Sequence, residues 1–387
     1  NQHRFARLLA SAFVVCALSG SNLFAQCPVT TVTGGLLAPT KIIASAGDLL
    51  VAESGFGPNM GRITALNPQT GEQHPLIGGL PSGITPPNND PSGPSGLVFR
   101  GNTLYVIIGL GDAIVNGSIP NTQVPAPHPS SPIFSSLLAL RFDHHYQTWP
   151  GGFNLTLADQ VALKNGLTIN LTNSEGEALH VRLIADLPDY SPEPVPGEPN
   201  NVRQSNPFGA AIFGNSLYIP DASNNTLRAV DLDTGAARTV TAFAPIPNPL
   251  PFGPPVSEPV PNSIQLVGDR LLVTLLTGFP FAPGSSQVRS VDPSTGQDAA
   301  FISGLTSAID VAPFHLKRTT GFLTLEFSAD MLSGAPGRMR FYDSPNAQGT
   351  VVADCLITPT SMAVDERSGD VFVTEIFTGR VVKVALH

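Results

Sequence analysis

Cysteine and the common catalytic motifs are scarce or absent in this chain of 387 residues. Its three cysteines form no Cys-x-x-Cys pair, so the usual zinc and redox motifs are missing. The sequence also contains no His-Glu-x-x-His, no Gly-x-Ser-x-Gly and no phosphate-binding Gly-Lys-Ser/Thr. These absences argue against zinc proteases, serine hydrolases and nucleotide-binding proteins, and we assign no catalytic residue.

Charge is also sparse, because Asp, Glu, Lys and Arg make up only 13% of the chain. The formal net charge is −9, and without the two arginines of residues 1–25 it becomes 18 − 29 = −11. This balance disfavours nucleic acid and anionic membranes as partners, and favours cationic ones. Apolar residues make up 42% and are regularly spaced, which argues against disorder.

Long hydrophobic runs are missing except near the N-terminus. There, an apolar stretch over residues 8–18 follows Arg4 and Arg7 and precedes Leu23-Phe24-Ala25, which is the pattern of a signal peptide ending at residue 25. The stretch is too short to span a bilayer, and no later one is long enough. We therefore expect an exported protein, periplasmic or extracellular, with no membrane span.

Two cysteines, Cys27 and Cys355, remain after removal of this signal. In an oxidising compartment an even pair favours a disulfide. The repeat described next puts Cys27 at the start of one outer strand and Cys355 near the end of another. The alternative is two separate buried thiols.

Glycine (37 residues) and proline (38 residues), by contrast, are frequent and mark a pattern that returns six times. A corner of the Gly-Leu or Pro-Ser/Thr type precedes a small-apolar strand, a Gly/Asp turn, and an apolar strand ending in an acidic or polar residue. A repeat of about 40–55 residues built from short strands is typical of a β-propeller. The corners begin at Pro39, Pro94, Asn206, Pro261, Ser307 and Pro359.

The spacing of these corners predicts an all-β, six-bladed propeller that forms one domain over residues 26–387. Pro39 and Pro94 are 55 positions apart, and Pro207 and Pro261 are 54 apart. The longer interval between Pro94 and Pro207 has two explanations, insertions within one long blade or a seventh blade. We favour six blades.

Both insertions and the ring closure follow from this register. The insertions cover about residues 109–135 and 143–178, and alternation in the second predicts an inserted hairpin. The last blade ends without an outer strand of its own. We expect Val29–Thr33 to supply that strand, which pairs both chain ends and leaves no open sheet edge.

Two stretches carry a family resemblance, Ser205-Asn206-Pro207-Phe208-Gly209 and Leu276-Thr277-Gly278-Phe279-Pro280-Phe281. Together with the NHL-like repeat over about residues 29–387, they resemble the ScyD/ScyE family of exported bacterial propeller proteins. The resemblance implies the six-bladed fold and export. It implies no catalytic residues.

The six-bladed plan is also similar, more distantly, to the strictosidine synthase, gluconolactonase and paraoxonase group. This resemblance implies a Ca²⁺ site at the channel mouth, with Asn206, Asn262 and Asp310 as candidate ligands. Converging oxygen ligands suit Ca²⁺. The first blade departs from the group, because Pro39-Thr40 stands where an acidic ligand is expected. The structural alternative is that these side chains cap backbone groups.

The face of the disc on which the corners lie, which we call the corner face, collects further candidates. Strand b of each blade ends on this face, and four such ends carry a carboxylate that is either a ligand contact or solvated. The loop after strand b of the fourth blade adds two phenylalanines that could contact an apolar ligand or close the channel. The candidate ligand-binding residues are Glu53, Asp221, Phe279, Phe281, Glu326 and Glu375.

Three functions agree with these features. The leading hypothesis is a propeller that binds a small molecule or partner protein on its corner face, without catalysis. The first alternative is a calcium-dependent hydrolase or lactonase. The second is a self-assembling protein of the cell surface or extracellular matrix.

Overall fold

The computed structural model is almost entirely β, and it describes residues 27–120, 122–144, 152–195, 198–316 and 318–386. Six antiparallel sheets are arranged as blades around a ring, which confirms the predicted six-bladed propeller. The predicted signal peptide, residues 1–25, lies outside the described residues. The described part of the chain has no helix with the length and hydrophobicity needed to cross a membrane.

Each blade is built from strands a to d, running from the channel outwards. Blade 1 consists of β2 (Pro39–Ser45), β3 (Asp48–Glu53), β4 (Gly61–Leu66) and β5 (Gln73–Leu80). Blade 2 consists of β8 (Pro94–Arg100), β9 (Thr103–Ile108), β12 (Ser136–Phe142) and β15 (Ala178–Asp186). Blade 3 consists of β18 (Ala211–Phe213), β19 (Ser216–Asp221), β20 (Thr226–Asp231) and β21 (Ala237–Ala242).

The second half of the ring repeats this plan. Blade 4 consists of β24 (Pro261–Val267), β25 (Arg270–Leu275), β26 (Ser286–Val291) and β27 (Asp298–Leu305). Blade 5 consists of β28 (Ala308–Leu316), β29 (Thr319–Glu326), β30 (Gly337–Tyr342) and β31 (Thr350–Leu356). Blade 6 consists of β32 (Pro359–Val364), β33 (Val371–Glu375), β34 (Arg380–Val384) and, as its outer strand, β1 (Val29–Thr33).

The N-terminal strand closes the ring as predicted. β1 pairs antiparallel with β34, with Val29 opposite Val384 and Thr31 opposite Val382. Directly before β1, Cys27 forms a disulfide with Cys355 of β31, and their Cα atoms are 6.0 Å apart. The disulfide therefore joins the outer strand region of blade 6 to that of blade 5.

Between the blades, apolar side chains of neighbouring sheets pack face to face. Ile107 of blade 2, for example, belongs to the same buried cluster as Leu217 and Ile219 of blade 3. Alternate residues of each sheet face opposite neighbours, so strands a to c of a blade are apolar on both sides. No blade can bury these two faces alone, and the ring is the unit that folds.

The two predicted insertions have different structures. Residues 109–135 contain the short hairpin β10 (Ile114–Asn116) and β11 (Gln123–Pro125). In the second insertion, β14 (Ile169–Thr172) coincides with the alternating stretch, but it pairs with strand d itself, β15, and not with a second inserted strand. It also contains β13 (Phe153–Asn154) and helix α1 (Leu157–Lys164), which the alternation did not indicate.

Helix α1 is short and locally specified. Thr156 is its N-cap and forms a capping box with Asp159, which satisfies backbone N–H groups at the start of the helix. The strand before it, β13, adds in parallel to the outer edge of β5 in blade 1, and the side chains of Leu155 and Leu163 are buried. The second insertion thus covers the outer edges of blades 1 and 2.

Three further hairpins rise from the d-to-a connections. They are β6 (Gly83–Thr85) with β7 (Asp90–Ser92), β16 (Tyr190–Val195) with β17 (Glu198–Gln204), and β22 (Ile246–Pro247) with β23 (Val256–Ser257). All three lie on the corner face, between consecutive blades from blade 1 to blade 4.

Candidate binding surface at the corner face

The corner face is formed by every segment that joins strand b to strand c, or strand d to the next strand a. These segments are residues 34–38, 54–60, 81–93, 109–135, 187–210, 222–225, 243–260, 276–285, 306–307, 327–336, 357–358 and 376–379.

Hydroxyl groups of the Pro-Ser/Thr corners link successive blades. Thr360 Oγ1 of blade 6 donates to the carbonyl oxygen of Pro39 at 2.9 Å, and Thr40 Oγ1 of blade 1 donates to that of Pro94 at 2.6 Å. Ser95 Oγ of blade 2 continues the series with the carbonyl of Pro207 at 2.9 Å. The corner motif in the sequence therefore has a physical role, because it supplies a buried donor to the neighbouring blade.

One residue further along the inner strands, polar side chains from four blades meet at the axis. Lys41 Nζ lies 3.1 Å from Asp310 Oδ2 and 3.1 Å from Ser263 Oγ. Ser361 Oγ donates to Asp310 Oδ2 at 2.8 Å, and the backbone N–H of Met362 donates to the same oxygen at 2.9 Å. Lys41 and Asp310 are buried, so the ion pair closes the axis.

Blades 2 and 3 have glycine at the corresponding position. A Cβ on Gly96 would lie 2.8 Å from the backbone carbonyl carbon of Gly209, so glycine is needed for this approach. The backbone N–H of Gly209 donates to the carbonyl of Ser95. Because these two glycines have no side chain, the charged and hydroxyl groups of the other four blades occupy the axis.

The three candidate calcium ligands have different environments. Asp310 is buried, and its oxygens accept from Lys41, Ser263, Ser361 and two backbone N–H groups. Asn262 is buried, and its Oδ1 has no hydrogen-bond partner. Asn206 is half-buried and its backbone N–H donates to Asp221 Oδ1 at 2.9 Å.

This arrangement does not fit a Ca²⁺ site that uses Asp310. Calcium takes six to eight oxygen ligands, whereas the nearest charge to this carboxylate is the Lys41 ammonium. Within the described residues, His, Cys, Asp and Glu form no group of three or more suited to a metal.

The four carboxylates at the ends of strands b are buried rather than exposed, which differs from both sequence-based alternatives. Each forms an ion pair with an arginine of strand c in its own blade. It also accepts from a backbone N–H just before or at the start of strand a, so it ties three segments together. The ion pairs are Glu53–Arg62 (2.7 Å), Asp221–Arg228 (3.0 Å), Glu326–Arg338 (2.8 Å) and Glu375–Arg380 (2.5 Å).

The sequence contains a signal for these pairs that inspection of the acids alone misses. Arginine occurs within the first three residues of strand c in every blade whose strand b ends in an acid. Blades 2 and 4 lack the acid and begin strand c with Ser136 and Ser286. In blade 5, hydrogen bonding to Glu326 raises the pKa of Arg338. The carboxylates are thus structural elements of the corners and line no open site.

A small polar cavity of about 180 Å³ lies on the corner face where blades 1, 2 and 3 meet. Its lining residues include Thr40, Asn206 and Phe208, together with Asp90 and Ser92 of the β6–β7 hairpin. Burial raises the pKa of Asp90. Asn206 is the only calcium candidate of the three that lines this cavity.

Exposed apolar side chains are concentrated on the corner face. Of the fifteen large apolar residues that are exposed in the described part of the chain, ten lie in corner-face segments. The other five are on α1, near it, or toward the opposite face and outer wall. The ten are Phe56, Met60, Ile119, Tyr190, Phe252, Val256, Phe279, Leu332, Ile357 and Phe377.

The two candidate phenylalanines belong to this surface. Phe279 is 50% exposed, and its ring packs edge-to-face on that of Phe281 with centroids 6.1 Å apart. Their loop is held against the β22–β23 connection, because the backbone N–H of Gly278 donates to the carbonyl of Glu258. Gly253 lies against the Phe279 ring, where a Cβ would come within 3.1 Å of Cε1. Phe279 is therefore presented outwards on a supported loop.

No family model matches the chain, and no curated protein matches it. Many solved structures do. A gluconolactonase from Xanthomonas campestris is similar with a TM-score of 0.48 and 10% identity, over 93% of this chain and 89% of that one. A PQQ-bound aldose sugar dehydrogenase from Streptomyces coelicolor has a TM-score of 0.44 and 12% identity, over 92% and 97%.

A protein of unknown function from Bacteroides thetaiotaomicron has a TM-score of 0.44 and 11% identity, over 92% of this chain and 75% of that chain. At this level of similarity these structures carry no argument about the function of the chain. Function has to be argued from the surface of this chain itself.

Proposed function

We propose that the protein is a binding protein whose corner face takes up a partner protein, without catalysis of its own. The observation that supports this most directly is the collection of exposed apolar side chains on one face of the disc. Grouped exposed apolar side chains on a folded protein mark interaction sites, and aromatic residues are enriched in the energetically dominant positions. Phe252, Val256 and Phe279 form such a group, because they lie on adjoining loops.

The rigidity of the same surface supports the proposal. Of the 38 prolines in the chain, 26 lie in the corner-face segments. Proline limits the number of conformations that a loop can adopt in the unbound protein. Less conformational entropy is therefore lost when a partner binds. The closed axis and the buried carboxylates point the same way, because they leave the loops and their apolar side chains as the accessible part of this face.

Export and family membership belong to this proposal as well. An exported propeller of the ScyD/ScyE type agrees with the Ser205–Gly209 and Leu276–Phe281 motifs, and the disulfide between Cys27 and Cys355 suits an oxidising compartment. The partner is then another exported or surface molecule.

Site-specific photocrosslinking in the producing cells tests the proposal. A photoreactive amino acid at Phe56, Phe279 or Phe377 should give one discrete adduct. The same group at Leu266 or Val351, which are exposed away from the corner face, should not. Equal adduct yields from both sets of positions would contradict a dedicated binding face.

Two measurements address the alternatives. Calorimetric titration with Ca²⁺ and a screen of lactones and aryl esters test the hydrolase hypothesis. Calcium-dependent turnover that is lost in Asn206→Ala would replace the binding proposal. Sedimentation at high concentration tests self-assembly, and a strictly monomeric species would count against it.

A further inference from the structure

The charge of the corner face identifies the kind of partner, if the binding function proposed above holds. The corner-face segments contain seven acidic residues, one arginine (Arg203) and no lysine. The remaining residues from 26 onwards contain 29 − 7 = 22 acids and 18 − 1 = 17 bases. The proportion of Lys and Arg is therefore much lower in the corner-face segments than in the rest of the chain.

Five of these acids form no salt bridge with the described residues, namely Asp90, Asp112, Asp189, Glu258 and Asp330. This contrasts with the buried strand-end carboxylates, each of which is paired with arginine. Asp90 and Glu258 are exposed residues, although partial burial of the Asp90 carboxyl raises its pKa. Glu258 accepts a hydrogen bond from the Asn225 amide. Negative charge and apolar side chains thus share the same accessible surface.

We propose that the corner face binds a basic segment of a partner protein that carries apolar or aromatic side chains between its Lys and Arg residues. Apolar anchors supply affinity, and complementary charge supplies steering and specificity. The acid Glu258 and the apolar residues Phe252, Val256 and Phe279 lie on one pair of adjoining loops, so a single short segment can contact both kinds of group.

The same charge disfavours other occupants. A second copy docked face to face would oppose two anionic surfaces, and an anionic lipid surface would be repelled for the same reason. Neither a second copy nor an anionic lipid surface supplies positive charge to these carboxylates, whereas a basic protein segment does.

Three synthetic peptides of equal length test this. The first carries Lys at its charged positions and Leu and Phe between them. The second replaces Lys by Glu, and the third keeps Lys but replaces Leu and Phe by Ser. The purified mature protein should bind the first peptide, with a Kd that increases steeply with salt. It should bind the third at least tenfold more weakly and should not bind the second.

Matched variants locate the site. Asp90→Asn with Glu258→Gln should weaken binding of the first peptide about fivefold, since two favourable charge contacts are removed. Phe279→Ser should weaken it further. Glu72→Gln with Asp269→Asn, two exposed acids on the opposite face, and Leu266→Ser should leave Kd unchanged.

The outcomes separate this inference from the binding function itself. Equal loss in the control variants, binding of the Glu peptide, or no binding of any peptide would overturn the basic-segment inference. Discrete photocrosslinking at the corner face would still stand in those cases. If crosslinking shows no preference for the corner face, the proposed function fails regardless of the peptides.

Discussion

Lys41 and Asp310 are 269 positions apart in the sequence, yet the Lys41 ammonium lies 3.1 Å from the Asp310 carboxylate at the centre of the ring. The pair connects blades 1 and 5, and Ser263 and Ser361 bring in blades 4 and 6. Four of the six inner strands are thus held by one polar cluster. This makes the axis a structural joint of the ring.

The first prediction concerns this joint. Lys41→Met should destabilise the protein by about 3–5 kcal/mol, because it leaves the Asp310 carboxylate buried without a counter-charge. The measurement is the free energy of unfolding from denaturant titration. Lys41→Met combined with Asp310→Asn should recover part of the loss. A single variant as stable as the parent would show that the ion pair does not hold the axis.

A second prediction tests the role of the strand-end carboxylates. Glu326 accepts from Arg338 and from the backbone N–H of Thr306, and its carboxylate also forms an ion pair with Arg340 at 3.1 Å. Glu326→Gln should lower the free energy of unfolding by about 3 kcal/mol, since two guanidinium groups lose their counter-charge. Glu72→Gln, at an exposed turn of blade 1, should change it by less than about 0.5 kcal/mol. Similar effects for both would mean that Glu326 contributes no more than a surface acid.

These two cases also show what sequence reasoning could and could not reach. The blade count and the closing role of Val29–Thr33 were predictable, because turn residues and alternating apolar strands recur at a regular period. The acid at the end of strand b was visible as well. Its burial was not, because that depends on an arginine on the next strand and on a backbone N–H from the corner.

The Lys41–Asp310 contact could not be predicted, because it joins inner strands of different blades and no local sequence pattern indicates it. A single lysine in the strand Pro39–Ser45 looks like any surface cation. Helix α1 was missed for another reason: at eight residues it is too short for a clear helical period. Its capping box, Thr156 to Asp159, and the Asn165-Gly166 pair after its end were the local signals present.

A third prediction follows from two aspartates whose pKa values shift in opposite directions. Burial raises the pKa of Asp189 above its usual 3.8, so the folded state binds that proton more tightly than the unfolded state, and stability falls as pH rises above 3.8. The Thr234 backbone N–H lowers the pKa of Asp231, so its contribution is present above 3.8 and is lost as pH falls through the lower, folded value.

At pH 7, therefore, Asp189→Asn should raise the free energy of unfolding and Asp231→Asn should lower it. Both differences should shrink toward pH 3. Parallel denaturant titrations at several pH values measure this. The same sign for both variants at pH 7 would show that one of the two environments is misassigned.

The last prediction concerns the seam of the ring. Deletion of residues 27–33 should destabilise the whole propeller, because blade 6 loses its outer strand and the disulfide to Cys355. The lost ladder bonds contribute about 0.5–1.5 kcal/mol each, and Val29 and Val32 lose packing against two core clusters. Together these terms approach a typical domain stability of about 5–15 kcal/mol.

Two controls separate the strand from the cross-link and from chain length. Cys27→Ser with Cys355→Ser keeps β1 and should cost about 2–5 kcal/mol, less than the deletion. Removal of residues 248–254, an equal length from the mostly exposed β22–β23 connection, should cost little chain entropy and leave the ring intact. Melting temperatures that are equal for the two deletions would show that β1 is not the strand that closes the ring. A double serine variant as unstable as the deletion would assign the closure to the disulfide instead.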